Sequence, residues 1–410
     1  MKKRICHKRK NLFGRKGKGN QVNQNKINKI NKINKKAFKT KKDSYNISKY
    51  ILINFKNSDF NFKVPKKLIP NKPRLSKNRT RLMVLNRMNM TIQHKYMNDF
   101  NSYFITGDTL VLNNTKMYKY ILYGKKEKNG SDLQVYLLRE INPNEKSWEV
   151  LVQPARKIRI GNRLFFLDEN NEKLIAVVHD NTISKGRIIK FTCDLPNQIF
   201  KNKIKNLGKI QSGLIKYGLY TSFKKPFIDF SNLQTIYAKK EGSTSPHFPG
   251  LHISKYILKK LEFYGINISY VTLHLGHDTY DKIIVEDIQK HKMKEEYFKI
   301  THKACNFINY SINSQKKVCA IGTSTLRALE SSVSPSNTLI PNKKWTNKFI
   351  YPYYKFHIAN SLLTNFHQPK STVMPLLAAF VGYDFLKYAY DLAIKKKYQF
   401  YNFGDAMLIL

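Results

Sequence analysis

Cysteine is scarce in this 410-residue chain, and acids are few beside bases. Its four cysteines, Cys6, Cys193, Cys305 and Cys319, stand apart with no C-x-x-C and no zinc-ligand spacing. That excludes a disulfide scaffold and a structural zinc site, and fits a reducing cytosol. Only 27 Asp and Glu oppose 74 Lys and Arg, a net charge of +47 with pI near 10.0. Such an excess attracts polyanions, with nucleic acid the obvious candidate, whether or not an AT-rich codon bias produced it. No apolar run is long enough to span a bilayer, and Pro375 breaks the most apolar stretch, so no membrane insertion is expected. There is no Walker loop, no G-x-G-x-x-G and no Ser-hydrolase elbow, which removes the usual nucleotide-binding and hydrolase readings.

What is present is enough apolar sequence, 41%, for two domains and a sizeable core. Residues 1–42 hold seventeen Lys or Arg and no acid, including KINKINKIN from Lys26 to Asn34. A period of three matches neither a helical stripe nor a strand face, so residues 1–56 read as a disordered basic extension. Basic and acid-free, it also fits an organellar presequence, although it has little Ser or Ala. From Tyr120 to Phe191 short strands follow one another, at 120–123, 133–138, 148–152, 163–166, 174–178 and 188–191. The links are rich in Gly, Asn, Asp and Pro, the texture of an antiparallel barrel or sandwich. After Gly208 helices alternate with strands: helix 255–264 capped by Gly265, strand 268–274, helix 301–314, strand 318–321, a helix carrying Arg327 and Glu330, strand 349–351, helix 383–396 and a last strand at 407–410. That alternation predicts a largely parallel α/β sheet or barrel with the all-β unit inserted into it. The boundaries are 57–115 and 207–410 for the α/β catalytic domain and 116–206 for the insertion.

Ligands of such a sheet gather beyond the carboxyl ends of its strands. Several polar residues fall there: His274 with Gly276, Thr323, and Asn365 with His367; Gly250-Leu251-His252 precedes a helix and could join them. In SLLTNFHQPKSTVMPLLAAFVG, Ser361 to Gly382, a strand and a polar knot lead to Ser371-Thr372 at a helix start, whose free N–H groups suit an anion such as a carboxylate. Each residue also has a plainer reading: a histidine at a strand end is commonly a hydrogen-bonded structural group, and Arg327 could simply pair with Glu330 at i+3. His274 and His277 lie three apart, but no third ligand has a matching interval, so no metal is expected.

The words themselves carry a resemblance. LVLNNTK (110–116), LVQPARKIRIGNRL (151–164), YAKKEG (237–242), GLH (250–252), VTLHLG (271–276), HKM with Glu296, GTSTLRALE (322–330), WTNKFIYP (345–352), TNFH-x-PKST and FGDAMLIL occur in one order. With them the chain resembles the S-adenosylmethionine:tRNA ribosyltransferase-isomerases of queuosine biosynthesis from about Ser58 to Leu410. The resemblance implies a β-barrel inserted into an α/β barrel-like domain. It further implies that S-adenosylmethionine donates its ribosyl group to 7-aminomethyl-7-deazaguanine at the wobble position of a tRNA, giving epoxyqueuosine and releasing adenine and methionine. S-adenosylmethionine would be a co-substrate with no further cofactor, and the enzyme a cytoplasmic monomer whose barrel and arm grip tRNA phosphates. The sulfonium acidifies the adjacent 5′ C–H, so His252, His274 and His367 are candidates for base or acid duty. Gly250, Gly276, Thr323, Arg327, Asn365, Ser371 and Thr372 are candidates for holding the donor. The departures fall in binding loops. Thr244-Ser245-Pro246-His247-Phe248-Pro249-Gly250 replaces a VAAPTAG-like loop, Gly276-His277-Asp278-Thr279-Tyr280 a GLGTF-like turn, and Lys77-Asn78 an Arg-Asp pair, while Pro375 reads as an interruption of the helix after PKST. The alternative is therefore a tRNA-binding remnant of this family with weakened or lost turnover.

Overall fold

The computed structural model describes residues 54–70, 79–168, 170–182, 186–209, 230–276, 279 and 282–410. The basic extension as far as residue 53, Lys77-Asn78, and His277, Asp278 and Tyr280 lie outside the described residues. Among the described residues the Phe55 ring meets those of Phe60, Tyr353 and Tyr383.

Strands between Ile121 and Thr192 close into a six-stranded antiparallel barrel. The sequence dictates this through a period of two. In Asp132–Asn142, Leu133, Val135 and Leu137 are buried while the residues between them are not, and Leu164 with Phe166 and Leu174, Ala176 with Val178 repeat the pattern on neighbouring strands. The inward residues form a core of their own. The helix Asn197–Leu207 adds Phe200, Ile204 and Leu207 to that core.

The α/β body is a nine-stranded mixed sheet. At its centre Asn267–Leu273, Thr109–Asn113, Val318–Ile321 and Ser361–Asn365 lie side by side and parallel. The last three are buried along their whole length, as expected of strands covered on both faces. One face packs Val111, Val271, Ala320 and Leu362 against the helices His302–Asn313, Thr323–Glu330, Val373–Val381 and Tyr383–Lys395. The other packs Leu110, Leu112, Ile321 and Leu363 with Ile257 and Leu261 of Lys255–Phe263 and with Met97 and Phe100.

Two expectations need correction. Phe349–Tyr351 is not a strand; the strand is Asn342–Thr346, five apolar-poor residues that pair only with Glu296–Ile300 at the sheet edge and so never needed an apolar face. Pro375 does not interrupt a helix. It is the third residue of Val373–Val381, in the first turn, where an N–H has no intrahelical partner to lose. That helix ends at Gly382, whose φ of +88° lets the chain turn straight into Tyr383–Lys395.

Candidate active site

Because the four central strands run parallel, their carboxyl ends line one end of the sheet, and the site is built there. Asn113, the last residue of its strand, ties this end together. Its Nδ2 donates to the Leu273 carbonyl at 2.9 Å, and its Oδ1 accepts from Leu273 N and Thr115 N, both at 3.1 Å. His274 comes next. Its Nδ1 lies 2.8 Å from Thr115 Oγ1, Thr115 Oγ1 lies 2.6 Å from Ser243 Oγ, and Ser243 Oγ accepts from Leu275 N at 2.8 Å. The imidazole stacks on Tyr297, centroids 5.4 Å apart and planes 16° from parallel. Its other side abuts Gly242, where a Cβ would sit 2.5 Å from the ring, so only glycine fits. Burial lowers the His274 pKa to about 4, leaving the ring neutral near pH 7.

His274 and Gly276 line a cleft of about 820 Å³ between the barrel and the sheet edge. Four aromatic side chains border it: Tyr118, in the link just before the barrel, Trp148 of the barrel strand Ser147–Gln153, Tyr297 of Glu296–Ile300 and Trp345 of the edge strand Asn342–Thr346. Its charges are largely paired: Arg139 with Glu149 at 2.9 Å, Lys201 with Glu140 at 2.8 Å and Lys205 with Glu241 at 2.7 Å. Arg139 also lies over the Trp345 ring, 5.1 Å from its centroid, joining barrel to sheet.

Glu296 separates this cleft from a smaller cavity. Its Oε1 accepts from Gly276 N at 3.0 Å and from Thr279 Oγ1, and its Oε2 accepts from Arg327 Nη1 at 2.5 Å. Arg327 Nε donates to the Lys348 carbonyl at 3.1 Å, while buried Nη2 has no partner among the described residues. It borders a cavity of about 20 Å³ with Thr323, Ser324 and Thr372, and Thr372 Oγ1 donates to the Thr279 carbonyl at 3.1 Å. Arg327 therefore pairs with Glu296 rather than Glu330. The Glu330 carboxylate instead accepts from Tyr354 Oη and the His357 and Ile358 amides.

The structure distributes the sequence-read residues over three places. His274 and Gly276 face the cleft, and Thr323, Arg327 and Thr372 face the adjoining cavity. Gly250, His252, Asn365, His367 and Ser371 line neither and are all buried. His367 Nε2 is 2.7 Å from Thr364 Oγ1, its backbone N–H donates to Tyr390 Oη at 2.9 Å, and burial lowers its pKa to about 3. Asn365 Nδ2 donates to the Tyr401 carbonyl at 3.2 Å. In the substituted loop, Phe248 packs edge-on against Phe403 with Met117, Leu233 and Leu251 and does not border the cleft. His247 is buried against Gly322, where φ is +90° and a Cβ would come within 2.3 Å of Nε2. Its pKa is lowered to about 4 by burial. Sequence reasoning assigned no role to Asn113, Thr115, Ser243 or Glu296. The signal was there in part, since Asn113 and Thr115 lie within LVLNNTK, but their partners are some 130 to 160 residues away.

Comparison with known proteins matches residues 57–409 to the family described as queuosine biosynthesis protein. An S-adenosylmethionine:tRNA ribosyltransferase-isomerase of Flavobacterium psychrophilum is 47% identical over 355 residues, 87% of this chain and 100% of that protein. This chain belongs to the S-adenosylmethionine:tRNA ribosyltransferase-isomerase family. A second family member, from Cytophaga hutchinsonii, is 43% identical over 357 residues, again 87% of this chain and 100% of that protein. The crystal structure of S-adenosylmethionine tRNA ribosyltransferase from Thermotoga maritima covers 86% of this chain and 100% of its own, with 28% identity and a TM-score of 0.47. The family match takes in the whole barrel and the whole nine-stranded sheet.

Proposed function

We propose that this enzyme transfers and isomerises the ribosyl moiety of S-adenosylmethionine onto 7-aminomethyl-7-deazaguanine at the tRNA wobble position, giving epoxyqueuosine. The observation that carries the site assignment is the neutral His274 held in a cleft of about 820 Å³ at the junction of barrel and sheet. That volume lies in the range of small-molecule sites, roughly 300–1,000 Å³. The bordering aromatic rings suit both nucleobases, which stack on them, and a sulfonium, which is attracted to their faces.

The remaining roles follow from placement. Arg327 Nη2 is a buried donor in want of an acceptor, and its cavity has room for about one oxygen atom, which suits an oxygen of the methionyl carboxylate. Thr323 and Thr372 would share that oxygen, and Gly276, already bound to Glu296, would set the cleft wall. Gly250, His252, Asn365, His367 and Ser371 would act from behind, holding the strand ends that present His274 and Thr323. Units 57–115 with 207–410 and 116–206 would then serve as catalytic body and tRNA-facing insertion. Lysines and arginines on the insertion and the arm would grip phosphates in the cytoplasm without reading sequence. Purified protein incubated with S-adenosylmethionine and precursor-modified tRNA should release adenine and methionine together. Intact tRNA binding without adenine above background would reject turnover and leave the tRNA-binding remnant.

A further inference from the structure

We infer that Thr115 and Ser243 lock His274 as the tautomer that carries its proton on Nε2, so that His274 meets the substrate as a hydrogen-bond donor and not as the base. The inference deepens the reading of the cleft as the ribosyl-transfer site and rests on it for the substrate.

The argument starts from a donor that cannot turn. The Leu275 amide belongs to the backbone and donates to Ser243 Oγ at 2.8 Å. Two hydroxyls and one imidazole nitrogen follow in line, Ser243 Oγ to Thr115 Oγ1 at 2.6 Å and Thr115 Oγ1 to His274 Nδ1 at 2.8 Å. Each hydroxyl has one hydrogen to place. If Ser243 donates to Thr115 and Thr115 donates to Nδ1, every hydrogen has an acceptor. If Nδ1 instead carried the proton, one of the two hydroxyl hydrogens would be left with no acceptor among the described residues. Ser243 is fully buried and Thr115 nearly so, so water does not relieve that loss. The lone pair of Nδ1 is thus committed to Thr115, and a neutral ring must hold its proton on Nε2.

With Nδ1 tied inward, Nε2 is the nitrogen left for the cleft, and it makes no hydrogen bond to any described residue. A neutral Nε2–H has no lone pair with which to take a carbon-bound proton. It can donate to an acceptor atom that gains negative charge, such as a ring nitrogen of the departing adenine as the glycosidic bond breaks and its electron pair moves to the base. Thr115 and Ser243 are positioning residues, since they act only through the imidazole.

The test is nitrogen-15 NMR of the full chain labelled at histidine, with His274→Gln used to assign the resonance at pH 7. The expected spectrum shows Nδ1 as the unprotonated, pyridine-type nitrogen and Nε2 as the protonated, pyrrole-type one. Thr115→Val should let the Nδ1-protonated form appear, and Thr115→Ser should restore the original tautomer. In turnover, Thr115→Val should lower kcat for adenine release by about tenfold or more while changing KM for S-adenosylmethionine far less. A proton on Nδ1 in the wild-type protein overturns the inference, and that spectrum decides even if the valine variant fails to fold. A wild-type protein with the expected spectrum but no adenine release would defeat the reaction assigned to the cleft and leave the tautomer standing.

Discussion

Glu296→Gln tests whether the buried ion pair behind the cleft holds the site together. Glu296 and Arg327 are about 5% and 6% exposed, and the pair is where Gly276 and Thr279, the Glu296–Ile300 strand and the Thr323–Glu330 helix meet. Removing one charge leaves the Arg327 guanidinium buried with only the Lys348 carbonyl as acceptor, a loss of about 3–5 kcal/mol by analogy with broken buried pairs. Glutamine keeps one oxygen for Gly276 N or Thr279 Oγ1, which places the expected cost near the lower end. For a folded body of roughly 350 residues, 3–5 kcal/mol corresponds to a Tm lower by about 4–7 °C. Arg327→Met should also destabilise, but the double variant Glu296→Gln/Arg327→Met removes both charges and should lose less than the two single changes together. A coupling of about 2–3 kcal/mol between the sites is expected. Urea unfolding of the four proteins, followed by fluorescence of Trp148 and Trp345, measures it. A single-variant cost below about 1 kcal/mol, or strict additivity, would refute the view that this pair anchors the edge.

The other predictions concern charge and protons. His247, His274 and His367 are all lowered from 6.5, to about 4, 4 and 3, so the unfolded chain takes up protons first as pH falls. Their contribution is complete above pH 6.5 and is lost between there and about pH 3–4, each adding a slope of up to about 1.4 kcal/mol per pH unit. Denaturation midpoints between pH 7 and 5 check this, and His247→Gln should flatten the slope. His274→Ala should reduce adenine release about 100-fold or more with the far-ultraviolet circular dichroism unchanged, and a smaller loss would move the chemistry elsewhere. Affinity for tRNA should fall linearly on a log–log plot against salt, and deleting residues 1–54 should make that slope shallower. An unchanged slope would show that the seventeen early Lys and Arg make no phosphate contact.

Periodicity made the elements legible and pairings across the chain did not. Val318–Ile321 was read to the residue because a continuous apolar run between turns has one interpretation in an α/β sheet. Glu296–Ile300 went unread because its alternation is short and because Asn342–Thr346, which pairs along its whole length, is a weakly apolar edge strand. The site divided in the same way. His274 could be found by the rule that ligands sit beyond strand ends, whereas Thr115 and Ser243 look like ordinary strand hydroxyls until the Thr115–Met117 and Lys240–Ser243 ribbon brings them together. Glu296 stood out only as part of a matching word with no role attached, and only the fold reveals that Arg327 lies against it.

A protein of charge +47 that uses a cationic donor faces opposed demands, since the surface that draws in RNA should repel a sulfonium. The cleft resolves this locally. Five of the 27 acids, Glu140, Glu149, Glu241, Glu295 and Glu296, border it against four bases, Arg139, Lys201, Lys205 and Lys294. Most of those bases are engaged by a neighbouring carboxylate, so the donor would meet a wall close to neutral rather than the average charge of the chain. Screening separates the two fields as well, because ions weaken interactions over about 8–10 Å and the cleft is walled by protein on both sides. Acids that the composition makes scarce thus border the cleft where a positive ligand must be tolerated, and the excess of lysine over acid lies elsewhere in the chain, where it can attract phosphate. Affinity for RNA and tolerance of a sulfonium can therefore change independently in this fold, one through the surface lysines and the other through the paired acids of the cleft.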